Sequence, residues 1–326
     1  MRVAVVGIGV IAPLHLDALK TGGHEIVALC DVVKEKCERA NEEFGLSASV
    51  YTDFDEMLSK EALDAVHICT PHYLHAPMIC AALGKGINVL SEKPLAISRQ
   101  QLDDIENAVR HSTARLGVCF QNRYNATMRY IKDFFKDKPI KSACASMTWC
   151  RDEAYYATDA WRGTWAEEGG GVMINQAIHT LDIMQWICGT PERVLAHVSN
   201  NSLRGVIEVE DTAFGIFTQK DGTSFTLHAT NASKGNFPVY MAFRSEKDLV
   251  EVSADHLIVN GEFMKLPNPF PILGKVEWGS GHASLIADYY RCLATGDTFP
   301  VDFYEARHAI DLILGMYASK GADINI

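Results

Sequence analysis

Asn175, His179 and Asp182 place an amide, an imidazole and a carboxylate four and then three residues apart. On a helix that spacing puts all three on one face. An imidazole titrates near neutral pH, so such a face can orient a hydroxyl group and move its proton. Gly169, Gly170 and Gly171 stand just upstream. Glycine there suits tight turning or close approach of backbone to a ligand. Read alone, Gly169 to Asp182 also fits a core helix with one internally satisfied histidine.

A second set of chemistry-bearing residues opens the chain. Val3 to Val6 is a short β-branched run followed at once by Gly7, Ile8, Gly9, Val10, Ile11 and Ala12, the pattern G-x-G-x-x-A. The first glycine permits the tight turn, the second lets a diphosphate approach the backbone, and the small third residue lets a helix pack on the strand. A helix from about Pro13 ends at Gly22-Gly23, and a strand from Ile26 to Cys30 ends at Asp31. An acid about 20 residues beyond the glycines is the expected partner of the adenosine ribose hydroxyls. Asp31 would repel a 2′-phosphate, so NAD is favoured over NADP, with Lys34 near enough to blur that choice.

The elements that must position these groups alternate. A helix spans Glu35 to Phe44, and a short one from Asp53 to Ser59 is capped by Thr52 or Asp53. A buried strand from Ala65 to Cys69 leads into Thr70, Pro71, His72 and His75. A strand from Asn88 to Leu90 leads into Glu92, Lys93 and Pro94, and one from Leu116 to Phe120 into Asn122 and Arg123. Such alternation predicts a doubly wound parallel sheet, an α/β Rossmann arrangement. In such sheets ligands bind beyond the carboxyl ends of the strands, where each of these polar clusters falls. After Arg123 strands follow strands. The glycine-led stretch is read as one helix to about Cys188, with Asp221-Gly222 and Asn260-Gly261 as hairpin turns. That predicts an α+β domain with an open, mostly antiparallel sheet, closed by helices from His282 to Ala294 and Glu305 to Ser319.

Composition narrows the function. At 326 residues two domains are expected. A net charge of −11 argues against nucleic acid and against an anionic membrane surface. Nine cysteines without C-x-x-C spacing read as reduced thiols in a cytoplasmic protein. The first residues lack a signal-peptide cleavage pattern, and no apolar run is long enough to span a bilayer. His72 and His75 have H-x-x-H spacing, but further ligands are not evident, so no metal is expected. No nucleophile-elbow motif supports Ser/His/Asp hydrolysis.

With these clusters in order, the chain resembles the Gfo/Idh/MocA oxidoreductases, which include glucose–fructose oxidoreductase and inositol 2-dehydrogenase. The matches are Gly7 to Ala12, Thr70-Pro71 through His75, Glu92-Lys93-Pro94, and Gly169 to Asp182. The resemblance implies residues 1–122 as a dinucleotide-binding Rossmann domain. Residues 123–326 become an α+β substrate and oligomerisation domain, with the C-terminal helix packing back on the first. It implies an NAD(P)-dependent enzyme moving a hydride between nicotinamide and a hydroxyl or carbonyl of a sugar, polyol or sugar derivative. A homodimer or homotetramer would form through the second sheet. Lys93 matches the lysine near the reacting carbon, where an ammonium stabilises alkoxide charge. His179 matches the histidine against the substrate hydroxyl. Asn175 departs from the aspartate of the polyol dehydrogenases. It can orient a hydroxyl but cannot take up a proton. Asp182 either orients His179 or caps backbone. Trp161, Arg162 and Asn122 resemble cofactor contacts, and Arg162 would alternatively meet a substrate carboxylate or phosphate. The Tyr155-Tyr156 to Trp165 loop suits either stacking on a sugar ring or packing on the sheet. Other readings are a non-catalytic dinucleotide-binding regulator, and a lyase or glycosidase using tightly held NAD transiently.

Overall fold

The computed structural model describes residues 1–253, 256–266 and 280–326, which cluster into two compact units. The first comprises residues 1–121 and the described residues of 280–307; the second takes the remainder, so the unit boundary falls inside the last helix. The chain therefore returns to its first unit late, which a division at 122/123 does not express. Among the described residues no helix is long and apolar enough to cross a membrane.

Unit 1 alternates β1 (Arg2–Val6), α1 (Ala12–Thr21), β2 (Glu25–Cys30), α2 (Lys34–Phe44), β3 (Ser49–Tyr51), α3 (Phe54–Lys60), β4 (Ala65–Ile68), α4 (His72–Gly84), β5 (Asn88–Ser91), α5 (Arg99–His111) and β6 (Leu116–Val118). The strands pair in parallel in the order β3-β2-β1-β4-β5-β6, as expected. The β-branched run of β1 and all of β4 are buried, as strands covered on both faces must be. Asp53 caps α3 and Ser98 caps α5 through backbone N–H groups three residues on. The edge strand β3 was not anticipated, because three residues carry no readable alternation.

Unit 2 begins at a 3-10 turn, Gln121–Tyr124, whose first residue still belongs to unit 1. It continues with α6 (Ala126–Phe134), β7 (Ser142–Thr148), α7 (Glu153–Tyr156), α8 (Val172–Asn175) and α9 (Ile178–Cys188). Then follow β8 (Arg193–Ser199), β9 (Thr212–Thr218), β10 (Ser224–Thr230), β11 (Tyr240–Arg244), β12 (Leu249–Ser253), β13 (His256–Val259) and β14 (Glu262–Met264). Helix α10 (Gly281–Thr295) packs on α1 in unit 1, and α11 (Phe303–Ser319) and β15 (Asp323–Asn325) end the chain. The sheet of unit 2 has nine strands in the order β14-β13-β12-β11-β7-β10-β9-β8-β15, antiparallel except for the β7–β10 pair. Asp221-Gly222 and Asn260-Gly261 turn the β9–β10 and β13–β14 hairpins, with Gly222 and Gly261 at positive φ. Alternation sends Phe217, Phe225, Leu227 and Phe243 inward, and α9 packs on β7 and β10 with Ile178, Leu181 and Met184 buried.

The single helix expected from Gly169 to Cys188 is two. Gln176 N–H and Ala177 N–H both donate to the Val172 carbonyl, the latter spanning five residues, before the regular ladder resumes with Leu181 N–H on Ala177. This wide turn separates α8 from α9 and is a π-type insertion of the kind found at functional sites. Asp182 neither orients His179 nor caps backbone. It forms a two-pronged ion pair with Arg123, at 2.8 Å from Nε and 2.7 Å from Nη2, both side chains nearly fully buried. Breaking a buried ion pair by replacing one partner costs about 3–5 kcal/mol. Asp182→Asn is expected to lower unfolding free energy by about that range in denaturant titrations. A loss below about 1 kcal/mol would show that the pair does not hold α9.

Candidate active site

The nucleotide loop of unit 1 is built on the ends of β1 and β2. Gly7 has φ +83°, and a Cβ there would lie 2.6 Å from the Cys69 carbonyl oxygen, so the fold itself demands glycine. A Cβ on Gly9 would meet nothing within 4 Å, so the chain's own packing does not explain that glycine. Close approach of a diphosphate does. Val10 is exposed, Ile11 half-buried, and Ala12 fully buried at the start of α1. Asp31 accepts the Ile8 N–H at 2.8 Å and the Val33 N–H at 2.9 Å, tying the glycine loop to the end of β2. Two N–H bonds leave a carboxylate lone pairs for a ribose. These residues fit an adenine dinucleotide. Lys34 pairs with Glu38 instead of approaching this site, and Lys36 is the cation near Asp31, at 3.7 Å.

Thr70 and Pro71 follow β4, and Pro71 precedes α4 directly. His75 is buried with Nδ1 2.8 Å from the Pro94 carbonyl oxygen and Nε2 2.8 Å from that of Thr70. The ring thus sits between the Thr70 turn and the Glu92-Lys93-Pro94 turn; burial lowers its pKa, and the neutral imidazole donates its one N–H to one of the two carbonyls. His75 is a tie between two loops rather than a group offering a nitrogen outward. Glu92 likewise faces inward. His15 Nε2 lies 3.1 Å and His282 Nε2 3.5 Å from its Oε1, and the Lys93 N–H donates to Oε2 at 3.3 Å. Burial would raise the Glu92 pKa, but the bonds from His15 and His282 hold it well below the usual range. His15 also meets His67, whose other nitrogen lies 2.9 Å from the Tyr290 hydroxyl. The sequence offered no signal for this buried chain of groups, since its members come from α1, β4, β5 and α10. His15, Glu92 and Cys119 bring donor atoms within 4.8 Å of one another. Both nitrogens of His15 are already engaged there. Lys93 follows Glu92 at the end of β5 and is half-buried.

In unit 2 the glycine-led stretch is fixed by its own packing. A Cβ on Gly170 would lie 2.0 Å from the Tyr317 hydroxyl, and one on Gly171 1.9 Å from the Glu210 carbonyl oxygen. Internal contacts therefore suffice to require glycine at both positions. The Glu210 carboxylate accepts N–H groups of Gly171 at 2.9 Å and Met173 at 3.0 Å, and the Tyr317 hydroxyl at 2.9 Å. It caps the first turn of α8. Burial nevertheless raises its pKa to about 7.

Asn175 ends α8 and is half-buried, and its Nδ2 donates to the buried carboxylate of Glu168. The same nitrogen lies 3.4 Å from the Tyr155 hydroxyl. Gln176 Nε2 reaches that hydroxyl at 3.2 Å, and Arg162 Nη1 donates to it at 2.8 Å. Asn231 Nδ2 donates to Gln176 Oε1 at 2.9 Å and to the Tyr156 hydroxyl at 3.2 Å. Glu168, Gln176 and Asn231 were missed; Glu168 stands directly before the glycines, the one local hint of it. His179 lies in the first turn of α9, half-buried. Trp161 and Arg162 are neighbours in the loop, with the guanidinium 4.5 Å from the Trp161 ring centroid. Asn122 sits in the 3-10 turn that opens unit 2.

A six-stranded parallel sheet with this nucleotide loop and acid defines an NAD-binding oxidoreductase. Residues 1–120 match the oxidoreductase family with an NAD-binding Rossmann fold, and residues 139–251 match the GFO/IDH/MocA C-terminal domain. The chain belongs to the Gfo/Idh/MocA oxidoreductase family. It is 26% identical over 308 residues to D-apiose dehydrogenase of Paraburkholderia graminis, spanning 90% of this chain and 80% of that one. It is 25% identical over 219 residues to 1,5-anhydro-D-fructose reductase of Ensifer adhaerens, spanning 67% of this chain and 66% of that one. In structure it is similar to the WlbA dehydrogenase of Bordetella pertussis, in complex with NADH and UDP-GlcNAcA. There the TM-score is 0.87 at 25% identity, covering 100% of this chain and 98% of that one.

The two loop glycines differ in a testable way. Gly9→Ala is expected to keep the thermal midpoint within about 1 °C, below what 1 kcal/mol would shift in a chain of this size, yet weaken NAD binding at least about tenfold. Unchanged affinity in calorimetry would mean that no diphosphate approaches Gly9. For Glu210 the sign follows from a pKa raised in the folded chain. Between its ordinary value of 4.5 and about 7 the folded state holds the extra proton. That contribution to stability is full below the window and falls as pH rises through it, by on the order of 3 kcal/mol. Glu210→Gln is expected to flatten unfolding free energy across this window. An identical slope in the variant would remove Glu210 as the source.

Proposed function

We propose that this protein oxidises a secondary hydroxyl of a sugar, polyol or sugar derivative, or reduces the matching carbonyl, with NAD as its redox partner. The observation that carries the reading is the polar set Glu168, Asn175, Tyr155 and Gln176, with His179 in the first turn of the next helix, in a chain whose other unit is an NAD-binding Rossmann fold. Neutral amides and a phenol held by hydrogen bonds suit a hydroxyl-rich ligand. The names of the relatives, D-apiose dehydrogenase and 1,5-anhydro-D-fructose reductase, point the same way.

Bound NAD would supply the hydride acceptor in the oxidative direction. The Lys93 ammonium hydrogen-bonds the substrate oxygen and stabilises the charge that develops on it. His179 takes the hydroxyl proton and Asn175 orients the sugar hydroxyls, since an amide donates and accepts but does not titrate. Glu168 fixes the Asn175 amide with its Nδ2 toward the carboxylate. Gly7 to Ala12, Asp31, Thr70 and Pro71 hold the cofactor, with Glu92 and His75 shaping the loops around it. Asn122 and Trp161 are further cofactor contacts in this reading, and Arg162 meets either the cofactor or an anionic group of the substrate. Asp31 selects NAD over NADP by like-charge repulsion of a 2′-phosphate.

The reading extends to assembly and location. The face of the second sheet opposite α9 carries Leu195, Phe214 and Tyr240, each exposed by a third or more. Across the strands they align in rows, Phe214 opposite His197 and His228, and Tyr240 opposite Ser146. A homodimer or homotetramer covers this face. All nine cysteines are unpaired, which suits the cytoplasm.

A screen of polyols, sugars and sugar acids for reduction of NAD tests the reaction. With a confirmed substrate, Lys93→Ala is expected to lower turnover about 10²–10³-fold. Turnover within about threefold of the wild type would take the charge-stabilising role from Lys93. Turnover without release of NADH would favour transient oxidation instead.

A further inference from the structure

The loop after β7 places two guanidinium groups against one tyrosine. Arg162 lies 4.8 Å and Arg151 5.1 Å from the Tyr155 ring centroid. Each is also stacked on a tryptophan, Arg162 on Trp161 at 4.5 Å and Arg151 on Trp149 at 5.1 Å. Their orientations are set by further bonds. Arg162 Nε donates to Asp159 at 3.1 Å and Nη1 to the Tyr155 hydroxyl at 2.8 Å, which leaves Nη2 as its remaining prong. Arg151 Nη1 donates to the Cys150 carbonyl at 2.6 Å and to Asn236 Oδ1 at 3.2 Å. Among the described residues no carboxylate lies within ion-pair range of Arg151, and its Nε is shielded from solvent without an acceptor. Arg162 is partly open to solvent.

Asp159 pairs with Arg162, whereas aromatic stacking does not cancel the charge of Arg151. A planar guanidinium held by stacking presents its remaining N–H groups in the fork that matches carboxylate or phosphate oxygens. This fork is not remote from the proposed substrate amide. The Tyr155 hydroxyl that accepts from Arg162 is the one that Asn175 Nδ2 and Gln176 Nε2 also approach. Arg151 N–H donates to the Asn231 carbonyl, and Asn231 holds Gln176.

We propose that Arg151 and Arg162 form an oxyanion subsite beside Asn175, so that the substrate is a sugar derivative bearing a carboxylate or a phosphate. This rests on the reading of Asn175 as a substrate-orienting residue.

Calorimetry on the full chain loaded with NADH tests it, with D-glucose, D-glucuronate and D-glucose 6-phosphate as probes. At least one anionic probe is expected to bind ten times or more tighter than glucose, and which one does so separates carboxylate from phosphate. Arg151→Gln and Arg162→Gln are each expected to reduce that preference at least fivefold, with partial return in the Lys variants, which keep charge but lose the fork. Thermal melting monitors their folding. In the wild type, inorganic phosphate or sulfate is expected to compete with the anionic probe and not with glucose, a result independent of any variant. No preference for either anion, or a preference untouched by both substitutions in folded protein, overturns the subsite. Turnover assayed alongside separates the two readings. Oxidation of sugars without anion preference removes the subsite alone. Anion preference dependent on the arginines, with no NAD reduction by any probe, leaves the subsite standing and counts against the dehydrogenase reading.

Discussion

The candidate site of unit 2 hangs on one carboxylate. Glu210 takes the N–H groups of Gly171 and Met173, and the Tyr317 hydroxyl closes over it from α11. These are the donors that the start of a helix leaves without intrahelical partners. The same contact explains the glycines, because any side chain at 170 or 171 would occupy the space of Tyr317 or of the Glu210 backbone. With that start fixed, the wide turn at Ala177 and the ion pair of Asp182 with Arg123 determine where Asn175 and His179 stand along the chain. The polar set around Asn175 is then assembled from the loop after β7, from Glu168 and from the end of β10.

Unit 1 solves a parallel problem with histidines. Glu92 is buried one residue from Lys93, and a lone buried carboxylate would be costly. His15 from α1 and His282 from α10 face it, so helices distant in sequence meet at the end of β5. His75 performs a related task with its two carbonyl partners, joining the turns after β4 and β5. The residues proposed to hold the cofactor are therefore backed by buried groups that face inward, and the late return of the chain through α10 supplies one of them.

Much of this was legible in the sequence, and the reasons are local. Gly7 to Ala12 and Asp31 could be read because turn, helix start and strand end each impose a residue type within a short span. The alternation of unit 1 and the hairpins at Gly222 and Gly261 were likewise local patterns. Short edge strands such as β3, β14 and β15 escaped notice because three residues show no period. The split between α8 and α9 was hidden, since apolar spacing continues through it. Partners distant in the chain were also hidden: Arg123 with Asp182, Glu210 with Gly171, and His15 with Glu92. Gly170 and Gly171 show where such a reading stops. A glycine marks close approach, but sequence does not say whether ligand or protein does the approaching.

The ends of the second sheet have a consequence of their own. A nine-stranded open sheet exposes two rows of backbone donors and acceptors, and such rows invite other chains to add strands. Here the outermost strands are β14 and β15, three residues each, with Glu262 and Asp323 at their starts. So short and charged a margin gives an incoming strand little to pair with. Among the described residues that margin discourages lateral growth into fibrous aggregates.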